Sequence, residues 1–240
     1  MTRSFANIIG DWDILADVRI RQIKSGKDLS YSHFLIPNII SLVSYSDRII
    51  DIGCGVGAGT ASLSKSGLDV IGIDPSEKSI ELARKNFPNS TYMLSSAENY
   101  IPNHKFDAAI LNMVLTNICD LEEFLSSVKQ LIIQSGRVII SICHPVFWPV
   151  YKNLTVVNGY NYSEVKYFDL PFTVTNDLEP TTQTSLYIHR PIEEYVRCFK
   201  ATGFEIDFIS EPMPDRELEK KYVTTWKFPR FMFIQLSLST

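Results

Sequence analysis

Asp51 and the glycines behind it are the part of this 240-residue chain best equipped for chemistry. The stretch reads Ile49-Ile50-Asp51-Ile52-Gly53-Cys54-Gly55-Val56-Gly57-Ala58-Gly59: an apolar run, an acid, then four glycines. Glycine adopts positive φ without cost and leaves room for a ligand against the backbone. A strand that enters such a turn, with a helix behind it, marks a nucleotide site in α/β proteins. Gly53, Gly55 and Ala58 satisfy the G-x-G-x-x-G/A spacing. Asp74 ends the next apolar run, near the ~20-residue offset of an acid that binds ribose.

That pattern alone fits a dinucleotide as well as other adenosine ligands. Asp51 separates them. Its carboxylate stands two residues before the first glycine, where it would repel a pyrophosphate and suit a cationic ligand. S-adenosylmethionine (SAM) carries an ammonium and a sulfonium and has no phosphate, so the electrostatics favour SAM over NAD.

Several segments then fall in the order of one family. Ile50-Asp51-Ile52-Gly53-Cys54-Gly55-Val56-Gly57 resembles the first motif of class I SAM-dependent methyltransferases, and Val70-Ile71-Gly72-Ile73-Asp74-Pro75-Ser76 resembles the second. Ser95-Ser96-Ala97-Glu98 stands where these enzymes grip the adenine, and Phe106–Met113 resembles the fourth strand and its exit. The later segments Ile142–Phe147, Tyr187–Pro191 and Phe228–Phe231 are similar to small-molecule enzymes of the "methyltransferase 11" type. The resemblance implies cofactor contacts from Asp51, Gly53, Cys54, Gly55, Gly57, Asp74, Pro75, Ser96, Ala97, Glu98, Asn112 and Met113. It places Asp74 on the ribose hydroxyls. Where the family often has an Asp that accepts from the adenine amino group, this chain has Ser96. The three acids have plainer readings as well: Asp51 as a turn-former, Asp74 as a helix cap, and Glu98 as a first-turn acid.

On the acceptor side, His144 follows the fifth apolar run. It is either a general base for the methyl acceptor or a structural histidine bonded to backbone. His189 has the same two readings. Arg190 either binds an anionic group of the substrate or pairs at the following helix with Glu193 or Glu194. Trp12, Tyr31 and Trp148 are candidate aromatic walls. Methyl transfer asks chiefly for geometry, with the nucleophile in line at ~3–3.5 Å and water excluded.

The elements that must hold these residues alternate. Apolar runs at 48–52, 69–73, 91–94, 106–111 and 137–142 read as strands, with helical patterns near 58–66, 76–86 and 120–133 between them. This predicts a doubly wound, Rossmann-like α/β fold: a mostly parallel seven-stranded sheet. Two N-terminal cap helices are expected, at 11–24 and 31–44, the second organised from Pro37. Residues 146–188 have no helical period and read as a β-rich insertion after strand five, lying over the site as a lid. A helix at 191–202, then strands at 204–210 and 230–238 in a hairpin-like pair, close one methyltransferase domain over 1–240.

Composition narrows the function. The 23 basic and 27 acidic residues leave a net charge of −4 and no basic block, which argues against a nucleic-acid partner. The four cysteines are scattered, without a C-x-x-C pair, so neither a metal site nor a disulfide framework is expected. No signal-like segment or membrane-length apolar run stands out, and a cytoplasmic location is expected. The sequence reading is therefore SAM-dependent methylation of an O or N on a small acceptor. The alternatives are an NAD-dependent oxidoreductase on the same fold and a non-catalytic SAM-fold partner protein. Oligomeric state is not legible.

Overall fold

The computed structural model describes residues 4–174, 176 and 183–239. Seven strands form one sheet in the order β3-β2-β1-β4-β5-β9-β8. β1 (Arg48–Ile52), β2 (Asp69–Asp74), β3 (Thr91–Leu94), β4 (Phe106–Asn112) and β5 (Ile132–Cys143) run parallel. β9 (Phe231–Leu238) lies antiparallel between β5 and β8 (Phe204–Ser210). The chain order reverses between β1 and β4. At such a switch point a crevice opens outside the carboxyl ends of the strands.

Neighbouring residues of each central strand serve opposite faces. Ile50, Ala109 and Ile140 cluster with Phe124 of α5 (Leu121–Leu131) and Phe199 of α7 (Ile192–Ala201). Ile49, Ala108 and Ile139 cluster with Ile39 of α2 (Ile36–Val43) and Leu63 of α3 (Ala58–Lys65). Both faces are therefore covered, which explains why these strands read as continuous apolar runs rather than alternating ones. α4 (Glu77–Asn86) completes the β2–β3 crossover.

The cap departs from expectation at its start. α1 spans Phe5–Lys24 and begins well before residue 11. Ser4 and Asn7 form a reciprocal cap, and Gly10 is absorbed inside the helix with open space around it. The second cap segment is not one regular helix. Residues Tyr31–Leu35 form a π-helical turn, closed by the Ile36 amide donating to the Tyr31 carbonyl, before α2 begins. Pro37 is the cause: its ring clashes with the carbonyl four residues back and supplies no N–H, so the turn widens.

Two further boundaries move. β5 begins at Ile132 rather than 137, because a bulge lets Phe106 pair with Ile132 and Ala108 with Arg137. The insertion is helical in its first part. α6 (Trp148–Tyr151) and a 3-10 turn (Leu154–Val156) precede the antiparallel pair β6 (Lys166–Pro171) and β7 (Thr184–His189). β8 and β9 are adjacent and antiparallel, but residues 211–230, including α8 (Arg216–Glu219), separate them in place of a tight turn.

Candidate functional site

A cavity of about 740 Å³ lies along the carboxyl edge of the sheet. Asp51, Gly53, Cys54, Gly55, Asp74, Pro75, Ser96, Ala97, Glu98, Asn112 and Met113 line it, as do Trp12, Tyr31 and Trp148. Strand order spreads these groups along the edge. Asp74 ends β2, Asp51 belongs to β1, Asn112 ends β4, Cys143 ends β5, and Phe231 begins β9 opposite Cys143. At ~4.8 Å per strand, β1 and β9 are about 14 Å apart.

At one end the backbone is shaped by glycine. Gly53 has φ +73°, and a Cβ there would come within 2.6 Å of Val114. Gly55 has φ +54°, and a Cβ there would meet nothing within 4 Å, so it faces open space. Its amide donates to Asp74 Oδ2 (2.8 Å) while the Ser76 amide donates to Oδ1 (2.8 Å). These bonds tie the glycine turn to the end of β2. The helix cap is Ser76, whose hydroxyl accepts from the Ser79 amide, and not Asp74. Asp51 is buried and accepts from the Thr60 hydroxyl (2.6 Å). Burial pushes both carboxyls up to about 6, against hydrogen bonds that pull them down.

The cap closes this end. Phe5, Ile8, Trp12, Ala16, Arg19 and Ile23 form a helical stripe of α1 facing the cavity. Asp13 fastens α1 across the site by accepting from the Ser76 hydroxyl (2.6 Å) and the Lys78 amide (3.1 Å). Arg19 pairs with Asp28 at 2.5 Å and lies 4.7 Å over the Tyr31 ring. Gly59 makes room for the Tyr31 hydroxyl, which a Cβ would meet at 2.8 Å, with Ile36 at 3.2 Å and Asp51 at 3.7 Å. Burial raises the Tyr31 phenol well above its ordinary value.

Four expected residues do not reach the cavity. His144 is buried, with Nδ1 accepting from the Val146 and Phe147 amides (3.1 and 3.3 Å) and Nε2 2.5 Å from Glu211. Nδ1 is thus committed to the turn after β5 and Nε2 to Glu211 beyond β8, the geometry of the structural reading rather than of a base facing the cavity. His189 is also buried. Its Nε2 donates to the Tyr162 carbonyl (2.9 Å), its ring packs against Tyr160 and Tyr162, and Nδ1 has no hydrogen-bond partner among the described residues. Arg190 donates to the carbonyls of Leu115, Ile118 and Cys119, which holds the segment after β4 rather than a substrate. Gly57 is a packing glycine: a Cβ there would lie 2.6 Å from Ala83 and 2.7 Å from the Tyr92 ring.

Sequence reasoning missed Arg19, Tyr151, Lys152, Tyr187 and Arg230, all on the cavity wall. Arg19 had a visible signal, a cation inside the apolar stripe of α1. Arg230 stood in the Phe228-Pro229-Arg230-Phe231 segment without a role. Nothing in the sequence marks Lys152. Among the described residues, no group of three or more His, Cys, Asp or Glu could hold a metal.

Comparison with known proteins agrees with this architecture. Residues 50–140 match the profile of a family described as "Methyltransferase domain". Demethylmenaquinone methyltransferase of Tropheryma whipplei (strain Twist) is 30% identical over 107 residues, 43% of this chain and 45% of that protein. The mitochondrial ubiquinone biosynthesis O-methyltransferase of Homo sapiens is 33% identical over 103 residues, 39% of this chain and 28% of that one. The chain therefore spans less than half the length of these curated relatives. A putative SAM-dependent methyltransferase from Listeria monocytogenes superposes with TM-score 0.61 at 20% identity, covering 81% of this chain and 92% of its own. The 1,6-didemethyltoxoflavin-N1-methyltransferase of Burkholderia thailandensis, solved with S-adenosylhomocysteine, gives TM-score 0.60 at 14% identity over 100% and 94% of the two chains. Residues 50–140 are thus similar to the methyltransferase domain family, and the described chain has the fold of solved SAM-dependent methyltransferases.

Proposed function

We propose that this protein transfers the methyl group of SAM to an O or N of a small-molecule acceptor. The observation that carries the reading is the cavity's division along the sheet edge. Two carboxylates and an open glycine turn stand over β2 and β1, and an aromatic chamber stands over β5 and β9. Asp74 keeps a free lone pair on each oxygen for ribose hydroxyls, and Ser96 and Ala97 lie beyond it toward the adenine. Asp51 suits the ammonium of the methionine moiety, and Arg19 suits its carboxylate. This arrangement aims the sulfonium methyl past β4, toward the chamber.

No residue here need break a bond in the cofactor. The protein's part is to hold the acceptor's lone pair in line with the S–CH₃ bond and to exclude water. α1, the π-helical turn and residues 170–174 of the insertion enclose that volume. Trp12 meets Phe172 edge-on, with ring centroids 5.6 Å apart, which joins cap to insertion. The relatives named above act on quinone precursors by name, and the toxoflavin enzyme on a heterocycle. Both names point to small-molecule acceptors, as in the reading proposed here. No helix among the described residues is long and apolar enough to cross a membrane; a cytoplasmic location is part of the proposal.

Calorimetric titration tests the reading. S-adenosylhomocysteine is expected to bind one to one and NAD not at all; the reverse result would identify an oxidoreductase. Asp74→Ala should weaken S-adenosylhomocysteine about ten- to a hundredfold, as loss of charge-assisted bonds worth ~1.5–3 kcal/mol requires. An unchanged affinity would confine Asp74 to bracing the Gly55 turn.

A further inference from the structure

The chamber over β5 and β9 holds two cations that the cofactor does not need. Arg230 is 6% exposed and Lys152 is half-buried, and both line the cavity. Among the described residues neither has a carboxylate within salt-bridge distance, whereas Arg19 at the other end is paired with Asp28. Arg230 stands beside three rings, those of Tyr151 (4.8 Å), Trp226 (4.8 Å) and Tyr222 (5.5 Å). Its Nη2 donates to the Thr224 carbonyl and hydroxyl and to the Thr225 carbonyl, while the buried Nε has no hydrogen-bond partner among the described residues. Lys152 lies 5.0 Å over the Trp148 ring and donates to the Thr173 hydroxyl (2.8 Å). Burial lowers the ammonium's pKa; Cys143 opposes this and Arg230 adds to it, so the two cations stand within electrostatic reach of each other. Glu219 lies within electrostatic reach of Arg230 but forms no ion pair with it.

Two like charges held in a partly buried aromatic chamber without counter-ions are costly, and they persist where something neutralises them. A bound anion would remove the mutual repulsion and satisfy both donors. Arginine with lysine beside aromatic faces is the recognition chemistry of a planar carboxylate. Resting on the reading of this cavity as a methyltransferase site, we propose that the methyl acceptor is an aromatic carboxylic acid whose carboxylate is held by Lys152 and Arg230. Its ring would lie among Trp148, Tyr151, Tyr187 and Phe231. The anchor stands at the β9 end, so the acceptor atom is directed back toward β4, where the methyl emerges. Lys152 and Arg230 are then specificity-determining residues, with no bond made or broken through them.

The test uses the whole protein saturated with S-adenosylhomocysteine. Benzoate, salicylate and 4-hydroxybenzoate are titrated against their uncharged amides, with phenyl phosphate as a further arm. At least one acid is expected to bind tenfold or more tightly than its amide, and phenyl phosphate no better than that acid. Lys152→Met should bring the ratio close to one while S-adenosylhomocysteine affinity stays as in the wild type. Arg230→Gln should do the same; if it does not fold, Lys152→Met decides alone. Equal binding of every acid and amide, a preference that survives Lys152→Met, or tighter binding of phenyl phosphate than of any acid would each overturn the proposal. If the wild type fails to bind S-adenosylhomocysteine, the methyltransferase reading itself falls, which separates that failure from loss of the carboxylate preference alone.

Discussion

Asp51 is the residue where the proposed cofactor binding and stability pull in opposite directions. Burial raises its carboxyl from 3.8 to about 6. Between those values the folded protein holds a proton that the unfolded chain has released, so stability falls as pH rises through that window. Asp51→Asn removes the effect. The ligand-free variant should exceed the wild type by about 1–3 kcal/mol at pH 7.5, and the gain should vanish near pH 4, as urea denaturation at both pH values would show. Cofactor binding should change in the other sense. Protonation takes away the charge that meets the ammonium, so wild-type affinity should drop below about pH 6. Two glycines in the same turn separate recognition from packing. Gly55→Val projects a side chain into open space at positive φ and should abolish S-adenosylhomocysteine binding in a protein that still folds. Gly57→Ala drives a methyl into Ala83 and Tyr92 and should lower the melting temperature by several degrees. If the Gly57 variant melts normally yet loses the cofactor, the two roles are exchanged.

Among the elements, α1 and the insertion govern access. α1 offers an apolar stripe to the cavity and is pinned through Asp13 to the start of α4, so it belongs to the cofactor end. The insertion touches the other end through Trp148, Tyr151 and Lys152, and its residues 170–174 run from Lys152 to Trp12 of α1. Part of the expected lid, residues 175 and 177–182, lies outside the described residues. If the insertion closes over the acceptor, limited proteolysis within 150–174 should slow several-fold when S-adenosylhomocysteine and an acceptor acid are both present, and little with either alone. Equal cleavage in all conditions would make it a fixed wall. The exit of β4 depends on a different brace. Met113 has φ +63°, and Arg190 gathers the following carbonyls, so that segment reaches the cavity already shaped.

For the molecule as a whole, ligand binding and folding are linked, since the cavity draws on the cap, five strand ends and the insertion together. S-adenosylhomocysteine at a hundred times its dissociation constant should contribute ~2.7 kcal/mol and raise the melting temperature by about 5–10 °C, with NAD leaving it unmoved. A shift confined to a fraction of the unfolding signal would mean that cap and sheet melt separately.

Local chemistry made the cofactor end legible. Asp51, Gly53, Gly55 and Asp74 could be placed because strand, turn and helix signals are short-range, and the glycine spacing requires one kind of backbone. The parallel order followed from alternating elements, and the last two strands from their own apolar runs. The helix and strand boundaries that slipped did so where tertiary contacts override local preference: the capped start of α1, the π-helical turn before Pro37, and the bulge that extends β5. The acceptor end was not legible, because its walls come from segments far apart in the chain. His144, His189 and Arg190 looked chemical by type and position, yet folding turned them to backbone carbonyls and amides and to Glu211, away from the cavity. Lys152 and Arg230 looked ordinary. Only the pairing of β9 with β5 and the course of the insertion bring those two charges into one chamber, since proximity between distant segments is decided by packing and not by spacing.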